Sequence, residues 1–196
     1  MIGKIKGEVR NRVITALLQA YHDMLDYDGM KSILREAGLL HLRNLRDFDP
    51  NQTIDFFTFQ KIISAQNMLL CDCEELLFEI GQKFSFYLYP FGKDFEEIVE
   101  EINEMIITDW KVEIIEKTEN QIIVSIKNCV FCSEIGVPRT LYIGFLVNSL
   151  EKSLPSDFQV KFFEEKDYLK DPKYNNFNVK LIIEKKKVEK LNITSN

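Results

Sequence analysis

The hydrophobic period of the chain changes near Thr108, and this change limits the folds that are open to it. Before that point apolar residues recur about every 3.6 residues, as they do on amphipathic helices. From Trp110 onward they alternate with polar residues, which is typical of strands that bury one face. One further helical stretch follows the first two strands. The order predicts an α+β fold, in which N-terminal helices pack on a four-stranded antiparallel sheet and one helix is inserted between the two strand pairs.

Helices are predicted wherever an apolar stripe lies between residues that start or stop a helix. Gly38 suits the left-handed position that ends a helix, and Asp28-Gly29 separates the first helical stretch from the second. The predicted helices are 8–26, 30–37, 54–64, 74–89, 94–108 and one that begins at Pro138, and 39–53 is predicted to be irregular. The predicted strands are 110–114, 121–127, 158–162 and 177–183, and a hairpin joins the first two.

Size and charge restrict the class of protein. A chain of 196 residues with 45% hydrophobic content can bury one full core, so we expect a single domain over 1–184 and a lysine-rich polar tail over 185–196. A net charge of −6 argues against nucleic-acid binding, which needs clustered lysine and arginine. The N-terminus resembles no signal peptide, and no apolar run is long enough for a transmembrane helix. We therefore expect a cytoplasmic protein, with peripheral attachment to membranes as a further option.

The first predicted helix has a wider apolar arc than a surface helix needs. Ile14, Leu18 and Tyr21 belong to one stripe of this arc. Two interpretations remain open: the helix lies at the centre of the core, or it covers the core with one stripe and packs on a second subunit with the other. The second interpretation predicts a homodimer whose interface is Val13, Leu17, Ala20 and Met24.

Cys129 and Cys132 are separated by two residues, a spacing that can provide half of a zinc site. Cys71 and Cys73 are candidates for the other half, although one intervening residue makes a poorer metal-binding turn. The alternative is that all four are ordinary reduced cysteines, and we favour no metal and no cofactor. Dithiol chemistry is disfavoured because residues 133–137 separate Cys132 from the next helix.

Motifs of enzymes are missing from the sequence. It has no glycine-rich phosphate loop, no His-Glu-x-x-His and no Gly-x-Ser-x-Gly, and only His22 and His41 can act as histidine bases. The paired glutamates of the predicted helix over 94–108 are typical of a solvated helix face. We therefore expect a protein that is not an enzyme.

The Cys-x-x-Cys, the following helix with Gly144-Phe145-Leu146, and Leu-Arg-Glu-Ala-Gly-Leu at 34–39 together resemble the four-vinyl-reductase domain family. That family belongs to a superfamily with haem–nitric-oxide-binding domains and the small subunits of TRAPP, the Golgi tethering complex. The resemblance implies an apolar cavity between helices and sheet, and a dimer formed through the N-terminal helices. Of the ligands in zinc-binding members, only Glu164 remains beside the cysteine pair, and neither His22 nor His41 matches the axial histidine of the haem branch.

These observations predict a non-enzymatic dimeric module that holds a hydrophobic small molecule or acyl chain between the helices and the sheet. Gly81 and Gly144 interrupt apolar helices and fit either close packing or a pocket wall. One alternative is a TRAPP-like scaffold for protein assembly and membrane tethering, with other TRAPP-like subunits as partners, and another is a zinc-containing sensor. The residues expected to line the pocket are Leu77, Ile80, Gly81, Phe84, Leu141, Gly144 and Phe145.

Overall fold

A computed structural model describes residues 7–44, 49–132, 139–164 and 175–186. Within these ranges the fold is α+β, as the sequence predicts, and α5 lies between the two strand pairs of the larger sheet. The helices are α1 (Asn11–Glu36), α2 (Phe56–Leu69), α3 (Glu74–Leu88), α4 (Phe95–Met105) and α5 (Thr140–Ser153), with a 3-10 turn at Leu40–Arg43. The strands are β1 (Glu8–Arg10), β2 (Thr53–Asp55), β3 (Ile106–Ile107), β4 (Lys111–Lys117), β5 (Gln121–Lys127), β6 (Phe158–Glu164) and β7 (Phe177–Lys185).

The larger sheet has the strand order β4-β5-β7-β6, and every neighbouring pair is antiparallel. Ile122 lies opposite Leu181, and Val124 lies opposite Val179. These four side chains are buried on the same face, where the alternation of apolar and polar residues places them. The prediction of a four-stranded antiparallel sheet is confirmed.

A second, three-stranded sheet was not predicted. In it β1 lies between β2 and β3, and Val9 pairs with Ile54 on one side and Ile106 on the other. Strands of two or three residues are too short to show an alternating pattern, so their sequence does not reveal them. Residues 8–10 are therefore a strand, whereas the sequence predicted that they begin the first helix.

The first two predicted helices form one helix, α1, with a kink at Asp26. The backbone there has φ 60° and ψ −177°, a conformation that residues other than glycine rarely adopt. The Asp26 carboxylate accepts hydrogen bonds from the backbone N–H groups of Asp28 (2.8 Å) and Gly29 (2.9 Å), so it caps the second half of the helix. Gly38, with φ 69°, follows the end of α1, as the sequence predicts.

Both apolar stripes of α1 are buried within the single chain. Val13, Leu17 and Ala20 have no exposed surface, and Met24 is half-buried. On the expected dimer interface only Met24 therefore keeps any free surface, because α1 packs against both α2 and α3. Of the two interpretations of the wide apolar arc, the packing matches a helix at the centre of the core.

Parts of the sequence-based description concern residues outside the described ranges. The predicted helix start at Pro138 is one of them, and α5 begins at Thr140. Of the predicted tail over 185–196, only Lys185, the last residue of β7, and Lys186 are described. None of the described helices is long and apolar enough to cross a membrane.

Candidate ligand site

The predicted pocket residues meet where α3 crosses α5. A Cβ atom at Gly81 would overlap the carbonyl oxygen of Leu141, and one at Gly144 would overlap the carbonyl oxygen of Phe78. The two backbones therefore touch, and at both glycines the geometry is that of close packing. Farther along the same crossing, the buried hydroxyls of Ser85 and Ser149 form a hydrogen bond of 2.8 Å.

The other five predicted pocket residues lie on the same two helices. Leu77, Ile80 and Phe84 of α3 are fully buried, and so are Leu141 and Phe145 of α5. The fold thus brings all seven residues to one crossing in the interior. Their role in binding a ligand stays a prediction.

Three aromatic rings in this interior lie almost parallel, and we call Phe131, Tyr142 and Phe145 the aromatic stack. Ring centroids of Phe131 and Tyr142 are 5.3 Å apart with an interplanar angle of 8°, and those of Tyr142 and Phe145 are 5.5 Å apart with an angle of 11°. Trp110 meets Tyr142 edge-on at 5.5 Å, and Phe84 lies 5.0 Å from Phe145. Both arrangements are favourable aromatic geometries. The stack links α5 to the segment that leaves β5.

The hydroxyl group of Tyr142 has no hydrogen-bond partner in the part of the chain that the structure describes. Six buried side-chain polar atoms among the described residues lack one, and Tyr142 is the residue of this set with no exposed surface. Leaving a buried polar group unpaired costs about 1–3 kcal/mol. Burial raises the pKa of Tyr142 well above its usual value, so the phenol keeps its proton and can donate a hydrogen bond. This is an unused polar contact at the centre of an apolar interior.

The predicted cysteine pair flanks Phe131 in the sequence and is buried beside the aromatic stack. The Cys129 N–H donates to the carbonyl of Asn175 (2.8 Å), and the Cys132 N–H donates to the carbonyl of Cys129 (3.4 Å). Burial, followed by the neighbouring Cys129, raises the pKa of the Cys132 thiol. The Cys132 thiol therefore keeps its proton at neutral pH in this packing.

Cys71 and Cys73 do not complete a zinc site with this pair. Both are exposed, just before α3. Across the described ranges, no three side chains of histidine, cysteine, aspartate or glutamate come together in a way that could hold a metal ion.

A buried chain of polar side chains reaches the backbone carbonyl of Phe131 from the helical side. The Tyr21 hydroxyl donates to Gln66 Oε1 (2.6 Å), Gln66 Nε2 donates to Asn67 Oδ1 (2.8 Å), and Asn67 Nδ2 donates to the carbonyl of Phe131 (3.5 Å). Sequence analysis missed Gln66 and Asn67 because it ended the helix at residue 64. Two amides in an otherwise apolar segment are the signal that could have indicated them.

Arg139, at the start of α5, is the second feature that sequence analysis missed. Its side chain is only 7% exposed and lies 3.5 Å from Glu164 Oε2, and its guanidinium carbon is 4.5 Å from the centroid of the Phe177 ring. Glu164 is thus a partner of an arginine in this structure. Sequence analysis considered Glu164 only as a remaining ligand of a zinc site.

Comparison with known proteins was made at the level of sequence and of structure. No family model matches the chain, and no curated protein matches it. Solved structures with the same fold include H-NOX domains. A doubly substituted variant of the Tt H-NOX domain has a TM-score of 0.59 and 14% identity, over 91% of this chain and 96% of that one.

Two further H-NOX structures agree. An oxygen-binding H-NOX domain related to soluble guanylate cyclases, solved as its oxygen complex, has a TM-score of 0.57 and 14% identity, over 91% of this chain and 96% of its own. The unliganded Fe(II) H-NOX protein from K. algicida has a TM-score of 0.55 and 12% identity, over 91% and 98%. At this level of identity the likeness establishes the fold.

These neighbours overturn the resemblance drawn from sequence. The chain shares its fold with H-NOX domains, so its assignment to the four-vinyl-reductase family and the TRAPP small subunits is wrong. Roles in vesicle trafficking and membrane tethering, which depended on that assignment, are therefore not supported.

One structural neighbour was solved in work on haem redox potential and porphyrin distortion, so the interior must be tested for a haem. Haem iron needs an axial ligand such as histidine, cysteine thiolate or tyrosine beside a cavity for the porphyrin. His22 and His41 are both exposed, Cys132 is buried against Cys129, and the Tyr142 ring lies between two other rings. The described residues do not fit a haem.

Proposed function

We propose that this chain is a non-catalytic module that binds a hydrophobic small molecule or acyl chain at the aromatic stack, with the Tyr142 hydroxyl as its polar contact. The observation that carries the proposal is the fully buried, protonated and unpartnered Tyr142 hydroxyl within an apolar aromatic interior. A ligand with one hydrogen-bond acceptor would relieve the cost of that unpaired group.

The fold of the neighbours supports a binding role. One of them is an oxygen-binding H-NOX domain, and the comparison covers more than nine-tenths of the present chain. A ligand of this chain is held differently from haem, because no described side chain provides an axial ligand. Recognition then depends on apolar contact and one hydrogen bond, which suits a neutral or acyl ligand.

The packing also indicates where space for the ligand must arise. Helices α3 and α5 cannot separate or slide easily, since their backbones touch at Gly81 and Gly144. Phe131 belongs to the short connection after β5, outside any helix or strand. We therefore expect Phe131 to move when a ligand enters, and Tyr142 to remain in place on α5.

The test is extraction of purified protein with organic solvent, native mass spectrometry, and titration with the fluorescent fatty acid cis-parinaric acid. We expect a bound apolar species in the wild type. Tyr142→Phe, which removes only one oxygen, should weaken binding of the probe about five- to tenfold, the effect of one hydrogen bond. Tyr27→Phe is the matched control because Tyr27 is exposed on α1, and it should bind like the wild type.

Two results would contradict the proposal. One is a wild-type protein that carries nothing and does not bind the probe. The other is Tyr142→Phe protein that is more stable but binds the probe unchanged, because the hydroxyl would then be an unsatisfied group without a role. The absorption spectrum of protein expressed with added haem precursor should show no haem band.

A further inference from the structure

Helix α2 has an outer face that no other described element covers. Four residues form it, Phe57, Lys61, Ser64 and Met68, at the i, i+4, i+7, i+11 spacing of a helix stripe, and we call them the outer stripe of α2. Phe57 is 61% exposed and Met68 is 55% exposed. The Lys61 ammonium lies 4.7 Å from the centroid of the Phe57 ring. Large apolar side chains at both ends of one stripe are typical of a surface that contacts another protein.

A groove of about 480 Å³ runs beside this stripe, between α2 and the end of α1. Ser64 and Ala65 are the small residues among those that line it, so a second helix can approach α2 closely at these two positions. The groove is lined by Glu36, Ala37, Phe57, Gln60, Lys61, Ser64, Ala65 and Met68.

The outer stripe of α2 matches a second copy of itself. The midpoint between Phe57 and Met68 in the chain is also the midpoint between Lys61 and Ser64. A two-fold axis through this point makes two copies of α2 antiparallel, and sets Phe57 against Met68 of the second copy and Lys61 against its Ser64. Each Lys61 then faces Ser64 of the second copy and not the second Lys61. The sulfur of a methionine also packs favourably on an aromatic ring.

The charges of the groove are complementary in the same arrangement. Glu36 and Lys61 both line it, and neither has an ion-pair partner among the described residues. Within one chain they do not pair with each other. Two antiparallel copies bring Lys61 of each chain to the groove that contains Glu36 of the other, so the two charges can pair between chains.

We propose that the chain associates with a second copy of itself through the outer stripe of α2, as an antiparallel two-fold pair. This surface is distinct from the buried stripe of α1. One helix face and a groove bury less than the roughly 1,200 Å² of a standard interface, so the dimer is weak and forms as the concentration rises.

Sedimentation velocity over a wide concentration range tests the pairing. The wild type should shift from monomer to dimer, and Phe57→Glu and Met68→Glu should each weaken association at least about tenfold, because each buries a charge in the contact. Phe163→Glu is the control: Phe163 is 54% exposed on β6, outside the groove, and its substitution should leave association unchanged. A wild type that is monomeric throughout would overturn the proposal.

Charge reversal tests the two-fold register. Glu36→Lys and Lys61→Glu should each weaken the dimer about three- to fivefold, and the double variant should recover it, since the pair is restored with its signs exchanged. Loss of association in both single variants without recovery in the double variant would overturn the arrangement. Circular dichroism of each variant checks that the fold is intact.

Discussion

At the scale of single residues, Asp26 is the position where local preference and overall fold conflict most. Its backbone conformation is one that glycine adopts freely, yet its carboxylate caps the second half of α1. Strain of this kind costs about 1–3 kcal/mol, and a glycine in place of a capping residue loses only a few tenths of a kcal/mol.

Asp26→Gly should therefore raise the free energy of unfolding by about 1 kcal/mol. Asp26→Ala should lower it by about 1 kcal/mol, because alanine keeps the strain and loses the cap. Urea denaturation followed by circular dichroism measures both. An Asp26→Gly variant that is less stable than Asp26→Ala would show that the backbone there is not strained.

Cys132 and Tyr142 give a second prediction at this scale, the dependence of stability on pH. Burial raises both pKa values in the folded state, so these groups ionise first in the unfolded chain. Their contribution to stability is complete below their unfolded pKa values, about 8.5 and 10, and is lost as pH rises above them. Stability should therefore fall from about pH 8.5 upward.

The first part of this loss of stability with rising pH is due to ionisation of the Cys132 thiol. Between about pH 8.5 and 9.5 each group of this kind lowers the free energy of unfolding by up to about 1.4 kcal/mol per pH unit. In Cys132→Ala the free energy of unfolding should fall less steeply with pH over this interval, because one ionising group has been removed. The measurement is urea denaturation at stepped pH, and an unchanged slope in the variant would assign the fall to other residues.

At the scale of elements, the crossing of α3 and α5 determines the interior. Gly81→Ala should destabilise the protein by more than about 3 kcal/mol, or prevent folding, because the methyl group would overlap the carbonyl of Leu141. Gly38→Ala is the contrasting variant. A Cβ at Gly38 meets nothing within 4 Å, so its cost is only that of the left-handed backbone, about 1–2 kcal/mol.

Thermal and urea unfolding compare the two glycine variants directly. Equal costs at Gly81 and Gly38 would mean that the two helices can separate without penalty. In that case α3 and α5 themselves would form the entrance for a ligand, and Phe131 would not need to move.

The sequence predicts long elements better than short ones for a physical reason. A helix such as α3 or a strand such as β5 repeats its apolar residues often enough to define a period, and both were predicted within one or two residues. Strand β1 has three residues and contributes no period, so it was read as part of α1. The break near Asp26 was predicted, but whether the chain turns or kinks there depends on packing against α2 and α3.

At the scale of the whole molecule, the architecture could be predicted from sequence and the family could not. The order of helices and strands follows from periodicity, whereas the choice between related families depends on particular side chains in the interior. Leu77, Phe84 and Phe145 were assigned to one predicted pocket because they lie on the apolar stripes of their helices. Gln66, Asn67 and Arg139 were missed because polar residues give no periodic signal and their partners are distant in the sequence.

A fold shared with haem-binding domains is compatible with an interior that does not suit a haem. Helices α3 and α5 and the sheet define the layers, and the side chains between the layers vary independently of them. In this chain the aromatic stack lies within the described interior, and the exposed histidines lie on α1 and on the 3-10 turn.

The paired glycines of α3 and α5 also place a limit on which sequences can share this interior. At Gly81 and Gly144 each helix presents a carbonyl oxygen to the glycine of the other, so a side chain at either position forces the two axes apart. Substitution at one site cannot be compensated by shrinking a neighbour, because the obstacle is backbone. Homologues that keep this crossing should therefore have glycine at both positions, however far their other residues diverge, and the pair is a criterion for recognising them.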